Sequence, residues 1–193
     1  MRGVLLIATL LACLSSSTQA QSSPRANARQ GFWVGFGLGS GSAGTNCTSC
    51  SSDRFTGLSG YARLGGTLSR SILLGFETNG WLHSEAGVDE TIGFGSFVVL
   101  WYPSPTGALF LKVGIGGMSY RADNGVDRLT AAAPSASIGI GYEMRVGRNM
   151  SVVPYVNSLA SSSVRLQFDG VPISTGEDIS INLFQFGLGL TWH

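Results

Sequence analysis

From Gly31 to the C-terminus, apolar residues alternate with polar or small ones in eight successive stretches, joined by connections that are by turns short and long. The last stretch is the clearest. Phe184, Phe186, Leu188, Leu190 and Trp192 recur at every second position, separated by Gln185, Gly187, Gly189 and Thr191. Successive side chains of a strand point to opposite faces, so one face here is bulky and apolar and the other small or polar. Eight such segments with asymmetric connections predict an all-β fold: an eight-stranded antiparallel up-and-down transmembrane β-barrel, with the bulky face toward lipid.

The first strand is expected at about 31–40, with Phe32, Val34, Phe36 and Leu38 outward and Trp33, Gly35, Gly37 and Gly39 inward. The second, about 55–68, turns Leu58, Ala62, Leu64 and Leu68 outward, and the third, about 72–83, turns out Ile72, Leu74, Phe76 and Leu82. The fourth, about 90–102, is expected to present Ile92, Phe94, Val98, Leu100 and Tyr102 to lipid. Leu109, Leu111, Val113 and Ile115 form the outer face of the fifth. Ile138, Ile140, Tyr142, Met144 and Val146 form that of the sixth, and Met150, Val152, Pro154 and Val156 that of the seventh. Pro154 cannot donate to a ladder and marks a bulge or an edge. In the eighth strand the apolar parity switches from Ile179, Ile181 and Leu183 to Phe184, Phe186 and Leu188, which predicts a β-bulge near 183–184.

Long connections are expected after strands one, three (84–89), five (122–130) and seven. Asp169-Gly170 in the last of these carries its own hairpin signal. Short periplasmic turns and longer outer loops are the habit of outer-membrane barrels, which places both termini in the periplasm. Most acidic residues (Asp53, Glu85, Asp89, Glu90, Asp123, Asp127, Asp169, Glu177 and Asp178) fall in or beside the long connections. Interfacial aromatic girdles are expected from Phe32, Tyr102 and Trp192 at one end and from Phe55, Trp81 and Tyr120 at the other.

Residues 1–20 read as a signal peptide. Arg2 supplies the positive start, Val4 to Leu14 the apolar stretch, and Thr18-Gln19-Ala20 the cleavage site. A lipoprotein reading of Leu10-Leu11-Ala12-Cys13, with Cys13 lipidated, competes. Leu11 fits it poorly, which favours ordinary cleavage after Ala20. Residues 21–30 are polar and aperiodic, a periplasmic lead-in, and the barrel domain occupies 31–193. Only 12% of the residues are charged, against about 25% in soluble domains. No apolar run after residue 20 is long enough for a spanning helix, which takes roughly 20 residues. A net charge of +1 without a basic run gives no case for a nucleic-acid partner.

Candidate chemistry is sparse. Cys47-Thr48-Ser49-Cys50 fits a structural disulfide better than a redox pair or half a metal site, because Ser, Thr, Asn and Gly surround it and no histidine is near. Gly35, Gly37 and Gly39 lack the following helix that a dinucleotide loop needs. His83, Ser84 and Glu85 contain the residue types of a hydrolase, but neighbours on a strand diverge, so no catalytic residue, metal site or cofactor is assigned. The inward charges say more. Parity directs Arg63, Glu77, Lys112, Glu143 and Arg145 into the lumen, beside Trp33, Tyr61, Trp101, Phe110 and Tyr155. A three-residue turn at 69–71 sets Leu68 opposite Ile72 and Arg63 opposite Glu77. One at 147–149 sets Val146 opposite Met150.

Over 31–193, the repeating pattern and the ending from Phe184 to Trp192 resemble the small eight-stranded outer-membrane barrel family. In that family such an ending is recognised by the barrel-assembly machinery, with a terminal residue that is usually aromatic; here His193 follows Trp192. The resemblance implies a Gram-negative outer membrane, outer-membrane lipid as surroundings, and a range of roles: anchors, adhesins, narrow solute channels and a few lipid-modifying enzymes. The leading expectation is a non-enzymatic barrel anchoring surface-exposed loops. A narrow small-solute channel or binder is the alternative, a lipid-modifying enzyme a third. A soluble lipocalin-like barrel would instead put polar faces outward and an apolar pocket inside.

Overall fold

The computed structural model describes residues 29–47, 54–162, 164–173 and 179–193. The expected signal peptide, most of the lead-in and Cys50 lie outside them. The described chain is a closed barrel of eight antiparallel strands: β1 (Phe32–Asn46), β2 (Arg54–Ser69), β3 (Ile72–Glu85), β4 (Val88–Trp101), β5 (Leu109–Asp123), β6 (Arg128–Tyr142), β7 (Met150–Ser161) and β8 (Ser180–Trp192). Each strand pairs with the next, and β8 pairs with β1 to close the wall. Closure is what allows strands to stand in lipid, because it leaves no row of unpaired backbone groups. Met144–Arg145 prolongs β6 alongside β7. A hairpin of Arg165–Phe168 and Val171–Ile173 extends the sheet beside the upper part of β6, turning at Asp169-Gly170 as the sequence indicates.

Both ends of the described chain lie at one end of the barrel, called here the terminus end; the opposite end is the loop end. The expected long connections after β3 and β5 are tight turns instead. Ala86 and Gly87 adopt φ of 51° and 82°, the left-handed pair of a two-residue hairpin, so pairing continues to Glu85↔Val88. Between β5 and β6 the Asn124 side chain accepts from the Val126 and Asp127 N–H groups at 2.9 and 2.7 Å, replacing a loop with a compact turn.

Register agrees with the sequence at β2–β3, where Arg63 faces Glu77, and at the 147–149 turn, where the Val146 N–H donates to the Met150 carbonyl at 3.0 Å. Next to the β2–β3 turn, Ser69 rather than Leu68 faces Ile72, and the extra residue is absorbed as a local bulge without moving the pairs above it. Pro154 makes no bulge. The β6–β7 ladder pauses opposite it and resumes at Met144↔Val152 in the same register, while Pro154 pairs with Leu188 on its other side.

Two expectations about facing are corrected. The bulge near 183–184 does not exist: β8 pairs without a shift from Val34↔Trp192 to Asn46↔Ser180 on one side, and with β7 on the other. Ile181 and Leu183 simply point inward, and Phe184, Phe186 and Leu188 outward. Strand β4 is reversed relative to its expected facing. The two-residue turn sets Trp81 opposite Ile92, so Ile92, Phe94, Val98 and Leu100 are buried in the lumen, while Phe97 and Trp101 face out. Tyr102 likewise turns inward. Trp101 and Tyr102 therefore exchange the places expected of them. Both faces of β4 are apolar, so periodicity alone could not choose between them, and the turn decided.

The lumen is filled in layers. Trp33, Leu73, Val98, Leu100, Tyr102, Phe110 and Val153 pack at the terminus end. Ala43, Trp81, Ile92, Phe94, Met118, Ala133, Leu159, Ile181 and Leu183 pack at the loop end, with Tyr120 against them. Trp81 and Tyr120 thus belong to the interior and not to a girdle. The indole N–H of Trp81 donates to the Gly41 carbonyl at 2.9 Å, and the Tyr120 hydroxyl to Glu90 at 2.7 Å. A polar belt separates the two layers.

Closure leaves no room for side chains at some seam positions. Gly39 and Gly187 face each other across β1 and β8, and a Cβ on Gly39 would collide with the backbone of Phe186 and Gly187. Gly39→Ala is expected to destabilise the barrel by about 1–3 kcal/mol, the usual size of an overpacking defect. Urea unfolding in detergent micelles, followed by tryptophan fluorescence, measures it.

Candidate functional site

The inward charges sit where strand parity puts them, but they form two clusters and not one. At mid-barrel, adjacent strands β2 and β3 bring Arg63 and Glu77 side by side, and β5 supplies Lys112. The Lys112 ammonium is hydrogen-bonded to Glu77 Oε1, which also accepts from the Asn79 amide at 2.8 Å. Arg63 Nη1 stands 4.0 Å from Glu77 Oε2, an ion pair without a hydrogen bond. Its guanidinium also reaches Thr191 at 3.4 Å and lies 4.7 Å from the Tyr61 ring centre and 5.1 Å from that of Phe110. One carboxylate thus faces two cations, and aromatic faces supply part of the remaining compensation. All three charged groups are at most 3% exposed.

The second cluster seals the terminus end. Glu143, just beyond β6, accepts from Arg29 Nε at 3.2 Å and from the Tyr102 hydroxyl at 2.6 Å; His193 Nε2 lies 3.2 Å from it. Arg29 also donates to the carbonyls of Gly107 (2.5 Å), Arg70 and Pro105 (both 3.4 Å), and its guanidinium stacks 3.4 Å over the Tyr102 ring. The lead-in and the C-terminal residue therefore meet on one carboxylate beneath the barrel. The sequence reading missed Arg29, because an arginine in a polar, aperiodic segment carries no signal of its partner. An unpaired Glu143 at the end of an inward-facing row was the available hint.

Among the described residues, Arg145 joins neither cluster. It is exposed at the rim and donates to the Arg148 carbonyl at 2.7 Å. Parity is retained along Met144–Arg145, but the position is beyond the end of the closed wall, where inward no longer means buried.

At the loop end, His83 stacks on Trp81 with ring centres 5.5 Å apart, and its Nδ1 is 3.1 Å from the Thr56 carbonyl. Ser84 points to the other side of the wall and donates to Asp89 at 2.6 Å. Nucleophile and base thus diverge, as alternation requires. Among the described residues no three or more His, Cys, Asp or Glu side chains are grouped to hold a metal ion. Cys47 follows the end of β1, but its expected partner Cys50 lies outside the described residues.

No family model and no curated protein matches the chain. Solved structures do. Neisserial surface protein A superposes with a TM-score of 0.60 at 11% identity, covering 84% of this chain and 97% of that one. Ail, the attachment invasion locus protein of Yersinia pestis, gives 0.49 at 11% identity, covering 84% and 99%. OprG from Pseudomonas aeruginosa gives 0.49 at 8% identity, covering 86% and 97%. The fold argument rests on the first of these together with the closed sheet itself. The fold is that of a small eight-stranded antiparallel β-barrel, shared with Neisserial surface protein A and implied by the repeating pattern.

Glu77 is the pivot of the belt. Glu77→Ala is expected to cost about 3–5 kcal/mol, because two buried cations lose their carboxylate. Glu85→Ala is expected to cost at most about 1 kcal/mol, since the Glu85 side chain is 66% exposed and its ion pair among the described residues is with His83. Urea titration of both variants in the same micelles checks the difference.

Proposed function

We propose that the protein is a non-enzymatic anchor in the outer membrane of a Gram-negative-type cell. Its barrel holds the loop end toward the outside, and both termini lie in the periplasm. The observation that carries this reading is the filled lumen. Among the described residues, two apolar layers enclose a paired charge belt, and Arg29 lies across the terminus end. The outer wall supports membrane residence: Phe32, Leu38, Leu64, Phe76, Ile115, Ile138, Phe186 and Leu188 are all at least half exposed. The divergence of His83 and Ser84 supports a non-enzymatic role. The ending Phe184 to Trp192 supports delivery by the barrel-assembly machinery, and outer-membrane lipid is the immediate partner.

Planar-bilayer recording of the purified protein is expected to show no stable porin-like conductance. A steady open current in the wild type would favour the narrow-channel alternative instead.

The same proposal includes removal of residues 1–20 and a disulfide between Cys47 and Cys50, the two cysteines that remain after cleavage. Closing so small a loop contributes roughly 2 kcal/mol in the chain-entropy picture. Intact-mass spectrometry of protein from membranes is expected to give a chain starting at Gln21. It should be two hydrogens lighter before reduction than after. A mature chain starting at a lipidated Cys13, or two freely alkylated thiols, would count against it.

A further inference from the structure

Charge inside the barrel does not balance. Among the described residues five charged side chains are buried there, each at most 3% exposed: Arg29, Arg63 and Lys112 against Glu77 and Glu143. At the terminus end Arg29 and Glu143 pair one to one, 3.2 Å apart. The excess therefore falls on the mid-barrel belt, where Glu77 serves both Lys112 and Arg63. Its Oε1 takes the Lys112 ammonium and the Asn79 amide, while Arg63 stands 4.0 Å from Oε2 without a hydrogen bond. A buried cation short of a counter-charge is costly. The faces of Tyr61 and Phe110 lessen that cost but carry no net charge.

Donors around Arg63 are unused as well. Arg63 Nε, the Tyr61 and Tyr155 hydroxyls and the Trp33 indole N–H are buried with no acceptor among the described residues. Tyr61 and Tyr155 meet edge to face, 4.8 Å between ring centres. The Arg63 guanidinium lies 4.7 Å from the Tyr61 ring centre and 5.8 Å from that of Trp33. Seam glycines bring two of these donors to one place. A Cβ on Gly35 would sit 3.2 Å from Arg63 Nε, and one on Gly189 would collide with the Tyr61 hydroxyl. Gly35 lies two residues before Gly37 on β1, and Gly37 pairs with Gly189. Arg63 Nε and the Tyr61 hydroxyl therefore face the same stretch of seam. Unpartnered acceptors also occur in the belt, at Glu77 Oε2, Asn79 Oδ1 and Gln185 Oε1. Water can satisfy acceptors and donors alike, but it brings no charge.

We infer that the belt is a binding site for one small monovalent anion of the halide class, held by Arg63 Nε and the Tyr61 hydroxyl, with Tyr155 and Trp33 beside them. One excess charge calls for one monovalent anion, whereas sulfate or a phosphate dianion would overshoot it. Bound there, the anion completes the charge balance of the lumen. Because only the closed barrel assembles these donors, the anion stabilises the folded state by mass action. The site is independent of the anchoring role proposed above, since it needs only the closed wall.

The test uses bromide as the probe, in two arms. Crystals of the full mature protein grown in sodium bromide are expected to show an anomalous bromide peak inside the lumen, in contact with Arg63 Nε and the Tyr61 hydroxyl. In solution, the urea midpoint in micelles is followed as sodium bromide replaces sodium gluconate at constant ionic strength. For the wild type it is expected to rise and then saturate. Lys112→Met removes the excess charge while keeping an unbranched side chain of similar length. Its midpoint is expected to stay flat over the same titration, and its crystals to lack the lumen peak. Water alone at Arg63 in wild-type crystals, or bromide confined to the outside of the barrel, would overturn the site. So would a wild-type midpoint that ignores bromide, or a rise of equal size in Lys112→Met, which would assign the effect to a general action of the salt.

Discussion

Everything in this molecule depends on the seam where β8 meets β1. Those two strands are the most distant in sequence, yet they pair without a shift from Val34↔Trp192 to Asn46↔Ser180. In a bilayer an open sheet edge would leave backbone donors and acceptors without water, at several kcal/mol each, so the wall must close or not insert. Closure with eight strands then dictates the bore. A bore of that width is filled by side chains, and its occupants must interdigitate around glycines such as Gly37, where the Tyr61 and Tyr155 rings meet the seam.

Filling the bore imposes a second constraint. Charged groups placed there by parity have to neutralise one another, because the wall shields them from solvent. Arg63, Glu77 and Lys112 meet part of this demand across β2, β3 and β5, and Glu143 meets it with Arg29 and the Tyr102 hydroxyl. The second cluster joins the segment before β1, the β4–β5 turn, the end of β6 and the C-terminal residue. It is therefore complete only when the barrel has closed. The same groups that plug the lumen also tie its ends together.

Sequence reasoning slipped where both faces of a strand carry apolar residues. In β8 the apolar pattern changes face between Leu183 and Phe184 with no change in backbone register, because Ile181 and Leu183 join the packed layer inside the loop end while Phe184 and Phe186 face out. A bulge and a switch from an inner apolar layer to an outer apolar face leave the same trace in an alternation pattern. In β4 the run Val98-Val99-Leu100-Trp101-Tyr102 is apolar on both faces, so its facing was set by the Ala86-Gly87 turn that links it to β3.

By itself the sequence determined the number of strands, their antiparallel order, the outward faces of β1, β5, β6 and β7, and the Arg63–Glu77 pairing. It could do so because strand periodicity and short-turn geometry are local, and each carries one face of the wall with it. Only the tertiary structure decided which charges share a cluster, that Arg29 is buried while Arg145 lies on the rim, and that Trp81 and Tyr102 point into the lumen. Those outcomes depend on how far each strand runs past its neighbours and on where the closed wall ends. Such distances are set by the whole barrel and are written in no single stretch of chain.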